Sequence, residues 1–247
     1  MKRFKGKVAV VTGGGSGIGR AITEGLVADG ANVLITGRRE APLQELSAKH
    51  DGAVALLAGD VGKSGTARQI VDEVVRRFGR LDFVVNNAAA ADILPLSETT
   101  DEMIDQMLAV NVKGPLALSR DAVGELAKTK GAIINISSVA AQAAVPGFAV
   151  YAGTKSAGDR ATKVLANELG PMGIRVNTVS PGLTKTPMFD RTMGPQPEAI
   201  ETMVGQTALR RVGEPGEVAR AALWLLSDDG AWVTGQVLQS SGGLMIS

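Results

Sequence analysis

Thr12-Gly13-Gly14-Gly15-Ser16-Gly17-Ile18-Gly19 follows the short apolar run Lys7–Val11 and opens the amphipathic stretch Gly17–Asp29. A strand, a tight turn and a helix in that order account for the glycines. Residues without a Cβ let the backbone turn sharply and approach a pyrophosphate. The first turn of the helix then offers unpaired N–H groups and a favourable dipole to the anion. Gly13, Gly15, Ser16, Gly17, Ile18 and Gly19 are therefore candidate dinucleotide-binding positions. The turn is not a nucleoside-triphosphate loop, because Arg20-Ala21 stands where Lys-Ser/Thr is needed. Ser16 is not a hydrolase nucleophile, since it lacks the G-x-S-x-G frame of a strained elbow.

Outward from this turn, short apolar runs alternate with amphipathic stretches. Strands are expected at Lys7–Val11, Asn32–Thr36, Ala53–Ala58, Asp82–Asn86, Ala132–Ile136, Arg175–Val179 and Gln236–Gln239. Most are apolar throughout rather than alternating, the pattern of strands covered on both faces. Helices are expected at Gly17–Asp29, Pro42–His50, Gly65–Phe78, Asp101–Lys128, Ala152–Leu169 and Pro215–Ser227, most bounded by Gly or Pro. The alternation predicts an α/β fold, a parallel sheet with right-handed crossovers and helices on both faces. With 247 residues and no linker or repeat, one domain spanning 1–247 is expected. Pro181–Leu209 has no clear period and is rich in Pro and Gly. A loop that long is more often functional than not, so 183–209 is read as a substrate lid, with a plain surface excursion as the alternative.

Composition removes several classes of function. The chain has no Cys, which excludes disulfides, thiolate metal sites and Cys nucleophiles. It has a single His, His50, too few for a His-built metal centre, so no metal is expected. The net charge is +1, which gives no reason to expect nucleic acid or an anionic membrane as partner. No apolar run reaches the roughly 18 residues of a membrane span, and the basic N-terminus is not followed by a signal-peptide core. A cytoplasmic location is the expectation.

Two further stretches bear on chemistry. After the second expected strand comes Thr36-Gly37-Arg38-Arg39, with no acid before Glu40. An acid there suits the ribose hydroxyls of NAD, whereas arginine suits the 2′-phosphate of NADP. Arg38 and Arg39 favour NADP, with NAD still possible and a solvated helix start as the plain alternative. The chain's one tyrosine lies in Tyr151-Ala152-Gly153-Thr154-Lys155. Residues i and i+4 share a helix face, so the ammonium can approach the phenol, lower its pKa and make it an acid/base near neutral pH. Thirteen positions before Tyr151, Ser138 sits just past a strand end, where parallel sheets bind ligands.

Taken together, these residues resemble the short-chain dehydrogenase/reductase family, over essentially the whole chain. The resemblance rests on Thr12–Gly19, Asp60-Val61, Asn86-Asn87-Ala88, Asn111 in Asn-Val-Lys-Gly, Ser138, Tyr151-x-x-x-Lys155, Pro181-Gly182 through Thr186, and Thr234-Gly235-Gln236 before Gly242-Gly243. It implies a doubly wound Rossmann sheet in the order 3-2-1-4-5-6-7. It also implies a nicotinamide cofactor and hydride transfer to or from a carbonyl carbon. On this resemblance Tyr151 is the proton donor or acceptor, Lys155 tunes it and holds the nicotinamide ribose, and Ser138 binds the substrate oxygen. Asn111 holds a water in a proton relay, and Gly114-Pro115 would break the helix there and free backbone carbonyls. Asp60 and Val61 lie at the adenine, Asn87 and Ala88 near the ribose, and Pro181, Gly182, Thr184 and Thr186 at the carboxamide. Similarity to NADP-using relatives again points to Arg38.

Two departures stand out: Ala89 replaces the usual Gly after Asn-Asn-Ala, and Ser240-Ser241 replaces the usual acid before the final glycine pair. Ala140, Val145, Phe148, Met188 and Met193 fall where relatives line the substrate pocket; all are apolar, which suggests a neutral apolar ketone or aldehyde. Relatives are usually homotetramers joined through the two long helices. A 3-oxoacyl-(acyl carrier protein) reductase is the alternative activity, although Thr129 and Met172 occupy surface positions that tend to be basic in such enzymes. A non-catalytic dinucleotide sensor is the alternative from another class, since a fold does not fix function.

Overall fold

The computed structural model describes residues 2–50 and 52–244. Its elements run β1 (Val8–Thr12), α1 (Gly17–Ala28), β2 (Asn32–Gly37), α2 (Glu40–Lys49), β3 (Val54–Ala58), α3 (Thr66–Phe78), β4 (Phe83–Asn86) and α4 (Asp101–Leu108). A π-helical turn, Ala109–Lys113, joins α4 to α5 (Gly114–Thr129). There follow β5 (Ala132–Ile136), α6 (Ala149–Leu169), β6 (Arg175–Pro181), α7 (Pro187–Thr192), α8 (Pro197–Gln206), α9 (Pro215–Leu226) and β7 (Val237–Ser240). The strands form one parallel sheet in the order β3-β2-β1-β4-β5-β6-β7, as expected. No helix among the described residues is long and apolar enough to cross a membrane.

The strands are apolar on both sides because each side has its own core. Along β1, Ala9 and Val11 face one layer with Ile22 and Leu26 of α1 and Leu223 of α9. Val8 and Val10 face the other, with Ile70 and Val74 of α3 and Leu118 of α5. α1 lies so close to α9 that a Cβ on Gly25 would stand 2.5 Å from Leu223. Strand order reverses between β1 and β4, which opens a crevice at their carboxyl ends, the usual ligand site of such sheets.

Three expectations are revised. The stretch Asp101–Lys128 is two helices hinged by the π turn, because Pro115 has no N–H for the carbonyl of Asn111. α6 begins at Ala149 rather than 152, so Tyr151 sits inside its first turn. Pro181–Leu209 is not structureless. It extends β6 to Pro181 and builds α7 and α8, each opened by a proline at its first turn. Both helices are too short for a clear hydrophobic period.

Candidate active site

A cleft of about 620 Å³ runs across the carboxyl ends of the strands, from Arg38 and Arg39 at one end to Met188 and Met203 at the other. Its first third is made of backbone. The Gly13 N–H donates to the Thr36 carbonyl at 2.7 Å, tying the turn to β2. Gly13 has φ +65°, and a Cβ there would meet the Asn87 amide at 2.9 Å. Gly17 has φ +52° and faces Thr186. Ser16 is the N-cap of α1, but its hydroxyl makes no cap bond; it accepts from Arg39 Nη2 at 3.4 Å instead. The first N–H groups of α1 are therefore left for an anion. These features fit a dinucleotide diphosphate: a cradle that side chains would fill, a free helix N-terminus, and two arginines at its rim.

The rest of that cradle is held by β4. Thr12 Oγ1 accepts the N–H groups of Asn87 and Ala88 at 2.9 and 3.0 Å. The Asn87 side chain donates to the carbonyls of Thr12 and Gly13 at 2.9 and 3.3 Å. Ile18, Asp60 and Val61 line the cleft wall, with Asp60 Oδ1 accepting from Gly62 N at 2.9 Å. Pro181, Gly182, Thr184 and Thr186 line the opposite wall. Thr186 caps α7 by accepting from Phe189 N at 3.1 Å, which sets the start of α7 against the glycine turn. Gly19 alone of the proposed cofactor set does not line the cleft. Its Cβ would collide with the Gly13 carbonyl, so this glycine serves the packing of helix on turn.

Mid-cleft, Tyr151 is 9% exposed and Lys155 6% exposed, one turn apart on α6. Lys155 Nζ donates to the Ile136 carbonyl at 2.8 Å and lies 5.6 Å from the Tyr151 ring centre. Ser138 enters from the end of β5, and its Oγ accepts from Ala140 N at 3.2 Å. The expected depression of the phenol by Lys155 is not found in the protein alone. Burial dominates and pushes the Tyr151 phenol up to about 12, with only the nearby Ser138 hydroxyl acting the other way. Burial also brings Lys155 down to about 8, partly offset by Asp159. Tyr151 is thus held as a proton-bearing acid, beside a cation whose charge fades as pH rises through about 8.

Asn111 sits behind this group and does not reach the cleft. Its amide clasps Ala90, accepting from that N–H at 2.8 Å and donating to its carbonyl at 2.8 Å; it also donates to Thr154 Oγ1 at 3.0 Å. With the side chain so engaged, only its backbone carbonyl is left to hold a water. A second cavity of about 40 Å³ lies between Asn111 and Lys155.

Ala140, Val145, Phe148, Met188 and Met193 converge at the far end of the cleft with Tyr151. Phe148 meets the Tyr151 ring edge-on at 6.3 Å. Sequence reading missed Ile93, Met203 and Arg191 at this end. Arg191 reaches back from α7 to donate to the Ala91 carbonyl at 3.2 Å, and nothing in local spacing announces that contact. Ala89 adopts no positive φ, so the missing glycine leaves no strain. Gly153, between Tyr151 and Lys155, faces open space: a Cβ there would meet nothing within 4 Å.

A dinucleotide crevice with a buried tyrosine and lysine and a half-buried serine at its centre is the site of an oxidoreductase that uses a nicotinamide cofactor. Comparison with known proteins gives the same answer. The family profile described as enoyl-(acyl carrier protein) reductase matches residues 13–245. The chain is 37% identical over 246 residues to 2,5-dichloro-2,5-cyclohexadiene-1,4-diol dehydrogenase of Sphingobium indicum, covering 98% of both. It is 36% identical over 249 residues to 3-oxoacyl-[acyl-carrier-protein] reductase FabG of Thermotoga maritima, covering 99% of this chain and 100% of the relative. The crystal structure of a short-chain glucose/ribitol dehydrogenase from Brucella melitensis superposes with a TM-score of 0.94 at 32% identity, covering 100% of both chains. The chain belongs to the short-chain dehydrogenase/reductase family, and its chemistry is that of the CH–OH/C=O couple.

Proposed function

We propose that this single-domain chain is an NADP(H)-preferring oxidoreductase that interconverts a neutral, apolar carbonyl compound and its secondary alcohol. The observation that carries this reading is the order of groups along one cleft. Arg38 and Arg39 stand at one end, Ser138, Tyr151 and Lys155 in the middle, and Ala140, Val145, Phe148, Met188 and Met193 at the other. Gly13, Gly15, Ser16, Gly17 and Ile18 would take the diphosphate. Asp60 and Val61 would take the adenine end, Asn87 and Ala88 the ribose, and Pro181, Gly182, Thr184 and Thr186 the carboxamide. When bound, the nicotinamide supplies or accepts the hydride.

The chain's own groups do the rest. Ser138 and Tyr151 donate hydrogen bonds to the substrate oxygen, and Tyr151 passes it a proton as negative charge develops. Its raised pKa keeps the proton available at neutral pH. Lys155, charged below about 8, stabilises the phenolate left behind. Asn111 keeps the π turn and α6 in register through Ala90 and Thr154 and offers its carbonyl to a relay water. In oxidation the same steps run backwards, with Tyr151 as base. The segment 183–209, with α7 set against the glycine turn, would act as the lid over this cleft.

Tyr151→Phe tests the reading. Turnover of apolar ketones with NADPH should fall roughly 10²–10⁴-fold while NADPH binding, followed by fluorescence titration, stays within twofold. Retained turnover would overturn Tyr151 as acid, and binding without turnover in the parent protein would favour the sensor.

The assembly that fits best is a homotetramer. Leu116 of α5, Val164 of α6 and Trp232 near β7 are exposed apolar side chains that such an assembly would cover. Light scattering should give four times the 25.4 kDa chain mass.

A further inference from the structure

Lys155 is a buried cation with no carboxylate within salt-bridge reach among the described residues. Its one direct side-chain hydrogen bond goes to a neutral carbonyl, that of Ile136. A buried ammonium without compensation is costly, so what balances it decides whether it stays charged. One turn further along α6 stands Asp159, which the assigned site does not use. Its Oδ1 is fully buried and has no hydrogen-bond partner. The Ser137 hydroxyl, next to Ser138 at the end of β5, is likewise buried without a well-formed hydrogen bond, yet it lies near enough to Asp159 to favour the charged carboxylate.

These two groups and Lys155 border the same 40 Å³ cavity behind the catalytic cleft. A void needs about 10–15 Å³ to hold one water, and water in such a place needs polar partners. Both conditions are met, and unpaired buried oxygens are the kind that water normally satisfies. The other cavity walls contribute no rival charge. β4 supplies Asn86, the π turn Asn111, α5 Ser119 and β5 Asn135, all neutral. Lys163, a further turn along α6, acts on Asp159 but not on Lys155.

We propose that Asp159 is the counter-ion of Lys155, a positioning residue that acts through water in this cavity together with the Ser137 hydroxyl, and that it keeps the ammonium charged over the working pH range. The proposal rests on the reading of Tyr151 and Lys155 given above. The opposed attractions agree with it: Asp159 favours charge on Lys155, and Lys155 favours charge on Asp159, each against its own burial. Asp159 does not touch the substrate; it sets how far up the pH scale Lys155 can support the phenolate.

The test is Asp159→Asn, which keeps shape and removes charge, with Asp159→Glu and Ser137→Ala beside it. Lysine labelled with ¹³C at Cε reports the Lys155 titration directly in the protein without cofactor or substrate. The expected result is a midpoint roughly one unit lower in D159N, as for loss of one nearby opposite charge. The alkaline limb of the kcat profile for ketone reduction should move down with it. D159E should restore the midpoint, and S137A should shift it in the same direction by less. An unchanged midpoint overturns the proposal, as does a loss of kcat that is equal at every pH or a change in assembly mass alone, since those mark a structural or interface role. If D159N does not fold, the S137A titration decides on the same criterion. Active Tyr151→Phe would instead sink the underlying reading, so the two failures are distinguishable.

Discussion

The two ends of the cleft are built by different means. At the Arg38 end the wall is backbone: glycines at 13, 15 and 17, helix N–H groups, and carbonyls latched by Asn87. At the Met188 end the wall is side chain, contributed by the β5–α6 connection, α7 and α8. A backbone wall constrains what a sequence can be, because most positions there exclude a Cβ. A side-chain wall constrains only bulk and polarity, and many residues satisfy it. The first end can hold one kind of ligand group, and the second can be re-cut for different substrates on the same frame. The two relatives described above are named for unlike substrates, a chlorinated cyclohexadiene diol and a 3-oxoacyl-[acyl-carrier-protein], at nearly the same identity to this chain.

The hardest blow to the backbone-built end is Gly19→Ala. A Cβ there collides with the carbonyl of Gly13 and approaches the Asn87 amide, neither of which can yield without moving the turn. Overpacking of this kind costs about 1–3 kcal/mol, so the melting temperature should drop by roughly 2–12 °C for a chain of this size. NADPH affinity should fall as well, although residue 19 lines no part of the cleft. Thermal melts and cofactor titration check both. A stable variant with normal affinity would show that the turn is softer than its geometry implies.

Arg38→Ala removes a side chain from that same end without touching its backbone. Hydrogen bonds to a charged partner contribute about 1.5–3 kcal/mol. The dissociation constant for NADPH should therefore rise roughly 10- to 100-fold, with that for NADH changing less than threefold and stability unaltered. Equal losses for both cofactors would mean that Arg38 serves the turn rather than a 2′-phosphate.

The same contrast explains what the sequence could and could not say. Strand order and the glycine turn were legible because apolar runs and missing side chains are local signals. Ser138, Tyr151 and Lys155 were legible through a spacing shared with a family, and the structure brings them together. The behaviour of the phenol was not: the i,i+4 rule brings Lys155 near Tyr151 but says nothing of burial, which raises the phenol pKa instead. α7 and α8 were missed because six- and ten-residue helices carry too little period. For Asn111 the sequence showed the helix break at Gly114-Pro115, but not that its side-chain amide would be engaged by Ala90 and Thr154, a tertiary contact with no sequence trace. Asp159 did carry a signal, four residues after Lys155 on the same helix face. Its meaning depends on a cavity that only packing reveals.

Met188→Ala probes the side-chain wall and should have the smallest effect. Met188 is half-buried on α7, where it packs beside Ala140, Phe148 and Tyr151. Shortening it opens the apolar end without disturbing any hydrogen bond to the cofactor cradle. Loss of part of one apolar contact corresponds to about 1 kcal/mol, or roughly a fivefold fall in kcat/KM for a compact apolar ketone. The fall should sit mainly in KM, because the contact is made equally in the ground and transition states. A bulkier ketone should lose less, since the new space can accommodate it. NADPH affinity and melting temperature should stay at the parent values. If cofactor affinity fell along with KM, the two ends would be coupled through α7, whose N-cap Thr186 lies beside the glycine turn. The division between a fixed end and an adaptable one would then have to be redrawn at that contact.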